Sequence, residues 1–366
     1  MDAETRGLVE ATLARVVDDV YQPPARLARL RAGPVDYRLH WPLLAELGVF
    51  DLAFSEGVGG MGAGALDLAQ AIRVLARGLV LEPFSESAVV AAAVLGRGEN
   101  APAREQAAAA AMAGQRITVL VGLPRQHGEL SLLPDGDTLR LSGVAQVVPY
   151  AAQADEWLVA AREPRAGERR ILRIPRAQPG VTVTSFRLMD ARPAGDIRFD
   201  ASPLNPSYGW LRGAPADAAL ERASDLSLLV HGADALGVME QLLAVTAEYL
   251  RTRVQFGVAL GTFQALQHRF ADMQIDMLEV RALVLAYARC LDGDAAITAK
   301  PSLQSALARL AARASRHIGH EAIQMHGGMG VTEELVVSHY NARLQVLGGA
   351  LRAWCEPSED PHAEAA

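Results

Sequence analysis

The chain has 366 residues, half of them hydrophobic and 21% charged, which is enough to bury a large core and excludes a disordered or coiled-coil protein. A formal net charge of −7 and a pI near 5.8 argue against a nucleic-acid binder. With only Cys290 and Cys355 there is no disulfide framework and no paired-cysteine metal knuckle, and the length favours two or three packed modules.

The opening MDAETRG is acidic and lacks the apolar stretch of a secretory leader. No apolar run reaches the ~18 residues of a membrane span, so the expectation is a cytoplasmic protein with no membrane span. Apolar spacings of three and four predict helices over 7–20, 43–47, 66–78 and 87–95. They are broken by Pro23-Pro24, by Gly33-Pro34 and by the glycines from Gly57 to Gly64. From about residue 116 the grammar changes to ITVLVGL, TLRLSGVAQVV, EWLVAAR, RRILRI and VTVTSF, short β-rich runs separated by turn signals. No helix-length segment lies between them, which predicts antiparallel pairing and no parallel βαβ units. After about residue 215, broad apolar stripes predict helices over 220–254, 262–292, 303–325 and 334–354. Pro301 suits the first turn of the third, and Asp292-Gly293 suits the stop before it. The expected organisation is an N-terminal α-helical domain (1–114), a middle antiparallel β domain (115–215), a C-terminal four-helix bundle (216–355) and a flexible acidic tail (356–366).

Lysine is almost absent. Lys300 is the sole one beside 34 arginines, so a GK[ST] phosphate loop is impossible and a Schiff-base lysine could only be Lys300.

Two bundle segments carry more information than the architecture: YLRTRVQFGVALGTFQALQHRFADM (249–273) and AIQMHGGMGVTEELVVSHY (322–340). Arginine offers a permanently charged fork for a diphosphate, and glycine lets main chain approach a ligand closely. Taken alone, RVQFG is more often a helix terminus and Gly327-Gly328 a helix cap. Together, and in this order, they resemble the acyl-CoA dehydrogenase family, as does the N-terminal LAELGVFDLAFSEGVGGMGAG. The resemblance covers nearly the whole chain. It implies that family's fold, FAD as cofactor, an acyl-CoA substrate and an electron-transfer acceptor protein. It also implies that Arg253, Gln255, Phe256, Gln264, Gln324, Gly327 and Gly328 contact the FAD of a neighbouring subunit.

The family removes an α-proton with a carboxylate while a hydride leaves the β-carbon for the flavin. One of the two family positions for that carboxylate, a turn after the GGxG motif, falls on Leu347. The other, on the first bundle helix about 26 residues before Arg253, falls on Ser227. Neither is acidic, so no catalytic residue is assigned. The family's flavin-covering loop is altered around Val121–Glu129, and Val147, Val148 and Pro149 replace its Trp-Ile-Thr. Asp225 neighbours the vacant slot but faces roughly 200° away on a helix. His317, His320 and Glu321 share a helix without metal-site spacing, and a solvated or core role is the commoner one, so no metal is expected. Glu333 and Glu334 read as an N-terminal helix cap.

The features together resemble the small or non-catalytic subunits of heteromeric members, of pimeloyl-CoA or steroid side-chain type. The expected function is α,β-dehydrogenation of an acyl-CoA thioester, with this chain supporting a homologous catalytic subunit in an α2β2 assembly. Two alternatives stay open: a non-enzymatic scaffold of the same fold, and a self-sufficient homomeric dehydrogenase with a relocated base.

Overall fold

The computed structural model describes residues 1–123, 130–136, 138–164, 167–293 and 297–355. The N-terminal layer consists of α1 (Ala3–Val20), α2 (Pro23–Arg31), α3 (Trp41–Glu46), α4 (Ala65–Arg77), α5 (Ala92–Leu95) and α6 (Ala101–Met112). Pro23-Pro24, read in sequence as a break, instead starts α2, because proline in a first turn forfeits only an N–H that would be unpaired anyway. Helix α6 escaped the sequence reading. It begins at Asn100, whose side chain accepts the Ala103 N–H. The stretch before α5 is a π-helix, Phe84–Ala91.

The middle layer is one sheet of β1 (Thr118–Val121), β2 (Leu130–Asp135), β3 (Thr138–Pro149), β4 (Glu156–Glu163), β5 (Glu168–Pro175), β6 (Val181–Arg187), β7 (Pro193–Pro203) and β8 (Gly209–Arg212). Its order is β6-β7-β3-β2-β4-β5-β8, with β1 paired to β4. The expectation of purely antiparallel pairing is corrected here. β1 runs parallel to β4 from Thr118↔Glu156 to Val121↔Val159, and β2 touches β4 in parallel at Ser131↔Arg162. The β2–β3 hairpin lies between β1 and β4 in sequence, and it supplies the crossover that a helix would supply in a βαβ unit.

The bundle comprises α7 (Ala214–Thr252), α8 (Gln264–Leu291), α9 (Lys300–His326) and α10 (Val336–Arg352), with a short hairpin of β9 (Val254–Gln255) and β10 (Val258–Ala259) after α7. Helix α7 is long and apolar enough to cross a membrane, but 72% of its most apolar window is buried within the protein. It is the central core helix. Pro301 sits in the first turn of α9 and Asp292 ends α8, as the sequence predicts. The Asp292 carboxylate also accepts the Ala65 and Leu66 N–H groups at the start of α4, at 2.5 and 3.0 Å. One residue thus ends α8 through its backbone and caps a helix of the N-terminal layer through its side chain. Where α4 crosses α7, a Cβ on Gly237 would lie 2.1 Å from the Arg73 carbonyl oxygen. Gly237→Ala should therefore destabilise the fold by ~1–3 kcal/mol, read as a fall in the denaturant midpoint at unchanged slope.

Candidate functional site

The structure brings the two bundle motifs together. The Tyr249 ring, in the last turn of α7, stacks on His326 at the end of α9 with 4.2 Å between centroids. Its hydroxyl donates to the His326 carbonyl at 3.4 Å. The chain beyond each helix therefore leaves from one corner, Arg253 on one side and Gly327-Gly328 on the other, with Gln264 opening α8. In the β9–β10 hairpin Gln255 pairs with Val258, so Phe256 and Gly257 are the two turn residues. Both have positive φ, +53° and +83°, as a type I′ turn requires, and Phe256 stands 91% exposed.

Arg253, Gln255, Gln264, Gln324, Gly327 and Gly328 are all exposed. Arg253 has no ion pair among the described residues. A Cβ on Gly327 or Gly328 would meet nothing within 4 Å; the backbone at Gly327, φ +59° and ψ −142°, itself calls for glycine, whereas no such demand is made at Gly328. Gly330 is different: its Cβ would lie 2.6 Å from the Ile323 carbonyl oxygen, a purely internal requirement. The corner offers a free guanidinium, three amide side chains and the N-terminus of a long helix. That donor set suits a diphosphate-bearing ligand. Sequence reading overlooked His326. Burial holds its pKa below the ordinary value, its Nδ1 bonds the Ala322 carbonyl at 2.8 Å, and its buried Nε2 has no partner among the described residues.

The strand expected to face the flavin ring is differently disposed. Val147 sits in a bulge of β3 at φ +51°, and its N–H donates to Asp196 at 2.9 Å. Val148 is fully buried, Pro149 has no N–H, and the Tyr150 N–H donates to the Pro193 carbonyl. Few backbone donors are left for a ring on this strand. Of the adjacent loop, Pro124–Glu129 lie outside the described residues.

Leu347 is not in a turn. It lies within α10, 0% exposed, on a buried stripe with Leu344 and Leu351 that holds the helix continuous. Ser227 is buried in α7, and its carbonyl bonds Nδ1 of His231 at 2.6 Å. Burial pulls the His231 pKa down, so the imidazole is neutral, with Nδ1–H donating and Nε2 unprotonated. Asp225 faces the other helices: it accepts from Tyr287 at 3.0 Å and Gln304 at 2.8 Å and pairs with Lys300 at 2.7 Å. Burial would lower the Lys300 pKa, but Asp225 and Glu221 raise it above the ordinary value, the opposite of what a Schiff-base amine needs.

A charged lattice fills the junction of the three layers. Arg343 of α10 pairs with Asp190 at 3.0 Å and with Asp234 of α7 at 2.8 Å. Arg192 pairs with Asp190 at 2.6 Å and reaches Glu86 of the π-helix at 3.4 Å. Arg26 of α2 donates to the Leu79 and Asp190 carbonyls. A cavity of ≈ 20 Å³ at this junction is lined by Glu86, Tyr150, Asp234 and Arg343 among others. Sequence reading missed this lattice, since its members are scattered along the chain; the available signal was Asp234 inside an otherwise apolar stretch of α7. Burial alone would raise the Asp190 pKa, but Arg192 and Arg343 outweigh it and hold the group at about 2. A depressed folded-state pKa contributes stability that is present above the unfolded value, roughly 3.9, and lost as pH falls through the folded one. The stability gap between wild type and Asp190→Asn should therefore shrink by ~2 kcal/mol as pH drops from roughly 5 towards 2, measured by chemical unfolding.

Of the helix α9 candidates, His320 is exposed and the other two have structural partners. His317 bonds Asp276 at 2.7 Å and Glu321 pairs with Arg269 at 2.6 Å. No group of three His, Cys, Asp or Glu able to hold a metal occurs among the described residues. Glu333 and Glu334 do not cap α10, which starts after Leu335 with no side-chain cap; Glu334 pairs with Arg31 at 3.1 Å instead.

A helical layer, a mixed sheet and a long-helix bundle, with a corner whose donors suit a diphosphate, fit a dinucleotide-dependent oxidoreductase scaffold. Comparison with known proteins makes the class specific. The profile of the acyl-CoA dehydrogenase N-terminal domain matches residues 3–104, and that of the C-terminal domain matches residues 221–349. The chain is 31% identical to acyl-CoA dehydrogenase FadE27 of Mycobacterium tuberculosis, over 85% of this chain and 84% of that protein. It is 27% identical to acyl-CoA dehydrogenase IpdE2 of Mycolicibacterium smegmatis, over 94% and 95% of the two chains. Among solved structures, a chain of the ChsE4–ChsE5 complex from Mycobacterium tuberculosis superposes with a TM-score of 0.86 at 26% identity, covering 96% of this chain and 94% of that one. A Tcur3481–Tcur3483 steroid ACAD variant gives 0.82 at 27% identity, covering 95% and 94%. This chain belongs to the acyl-CoA dehydrogenase family, whose cofactor is FAD.

Proposed function

We propose that this chain is the non-catalytic subunit of a heteromeric acyl-CoA dehydrogenase, contributing the ADP half of a flavin site whose chemistry belongs to a homologous partner. One observation carries the reading. The corner made by Arg253, Gln255, Gln264, Gln324, Gly327 and Gly328 is exposed and its arginine has no ion pair among the described residues, while the strand at Val147–Tyr150 has spent or lost most of its backbone donors. A chain that bound a whole flavin of its own would need both. When bound, FAD accepts the hydride that leaves the acyl β-carbon. This chain's part is to neutralise the pyrophosphate with Arg253, to hydrogen-bond it with the amides, and to let it approach the bare backbone of Gly327-Gly328. The partner supplies the carboxylate that Leu347 and Ser227 do not, and an electron-transfer protein reoxidises the assembly. Likeness to steroid-type relatives supports a bulky steroid side-chain thioester as substrate.

Co-expression with a family paralogue encoded in the same genome tests this. The expected product is an α2β2 tetramer with one flavin per unlike pair, counted from visible absorbance against protein. One flavin per chain refutes the half-site.

A second reading has one observation in its favour. His231 is neutral, its tautomer is fixed by the Ser227 carbonyl, and its Nε2 has no partner among the described residues. It would be the relocated base of a self-sufficient enzyme, and turnover by the chain alone that vanishes in His231→Ala would select it.

A further inference from the structure

Three landmarks locate the reaction centre that the family resemblance assigns: Ser227 on α7, Leu347 on α10 and Val147–Pro149 on β3. In this structure residues elsewhere on α7 and α10, and the one that follows β3, border one space. Asp234 lies two turns beyond Ser227, Arg343 one turn before Leu347, and Tyr150 directly after Pro149, and all border the same ≈ 20 Å³ cavity. That volume holds about one water molecule, whereas small-molecule pockets run to roughly 300 Å³ or more. What fills the rest is charge. Arg192 and Arg343 pair with the carboxylates of Asp190, Asp234 and Glu86, Arg26 donates to the Asp190 carbonyl, and the side chains of Arg192, Arg343, Asp190 and Asp234 are each 8% exposed or less. Opening the cleft for an acyl chain would pull apart buried pairs and strand the remaining charges without partners, which is strongly unfavourable.

We infer that this lattice plugs the chain's own acyl cleft, so that acyl-CoA enters only the cleft of the partner subunit. The inference rests on the subunit reading above and adds to it. It assigns the place of the substrate, where the half-site assigns only the place of the cofactor. The plug draws on every layer: Arg26 from α2, Glu86 from the π-helix, Asp190 and Arg192 from the turn between β6 and β7, Asp234 from α7 and Arg343 from α10. Its members are held by one another, so no single element can move aside alone.

Hydrogen exchange on the assembled complex tests it. The hydrogen-bonded amides within 81–90, 188–192 and 229–236 of this chain, those of Leu188, Ala191 and Arg192 in the turn, should exchange only through global unfolding. Adding thiaoctanoyl-CoA, whose sulfur replaces the β-carbon so that no hydride can leave, should not slow them further. Local opening of these segments at rates independent of denaturant, or added protection there by the analogue, overturns the plug. Arg343→Met should speed exchange in all three segments together, by roughly a hundredfold or more, because the two aspartates lose their shared partner. Acceleration confined to the peptide of one layer would show that the pairs do not act jointly, and would also overturn it. Flavin counts keep the two ideas separable. One flavin per chain refutes the subunit reading itself, whereas analogue protection of these segments at one flavin per unlike pair refutes only the plug.

Discussion

Purified alone, this chain should oxidise no acyl-CoA, with dye-linked rates at least ~10²–10⁴-fold below those of a relative that has a positioned base. An α-proton flanked by a thioester carbonyl leaves only to a group that can hold it within hydrogen-bonding reach. Leu347 has no such group, and the buried Ser227 hydroxyl is far too weak a base. Leu347→Glu should not rescue turnover. Position 347 is 0% exposed inside a continuous α10, so a carboxylate there enters the core rather than an acyl cleft. It would be protonated, destabilising, or both. Robust activity in that variant would mean that α10 breaks near residue 347 in the working enzyme.

Removing the corner's cation should have the second-largest effect. Arg253→Ala in the assembled complex is expected to weaken flavin retention by about ten- to a hundred-fold, since a charge-assisted contact to phosphate contributes ~1.5–3 kcal/mol. Stability should change by less than ~0.5 kcal/mol, because the side chain is exposed and has no ion pair to lose. Flavin release after dilution, followed by its fluorescence, checks the first value, and thermal unfolding of the flavin-free chain checks the second. Wild-type retention in the variant would remove Arg253 from the site.

Most of the architecture was legible because periodicity reports it. The stripes of α7, α8, α9 and α10 predict four long helices to within a few residues at most ends, and the change of grammar near residue 116 marks the sheet. What escaped depends on partners distant in sequence. Direction in the sheet is one case: β1 looks like any other strand, and only its pairing with β4, some forty positions away, makes it parallel. The start of α2 was misread because Pro-Pro is a breaker inside a helix but an initiator at its first turn. In the corner, the residue types were evident but their juxtaposition was not, since the Tyr249–His326 stack that joins the two motifs has no local signature. The lattice was the least legible of all. Arg192 and Arg343 resemble ordinary surface arginines in a chain so rich in them, and only the fold shows that they are buried.

The double role of Asp292 limits how this chain can be recombined with its relatives. The family profiles divide it into an N-terminal and a C-terminal piece, yet the start of α4 borrows its cap from the end of α8, and the α4 backbone rests against Gly237 of α7. A chimera that exchanged the N-terminal layer between paralogues would join compatible modules only if the recipient bundle kept a carboxylate at position 292 and no side chain at position 237. Inheritance at this seam is therefore coupled: changes on one side are tolerated only alongside matching residues on the other.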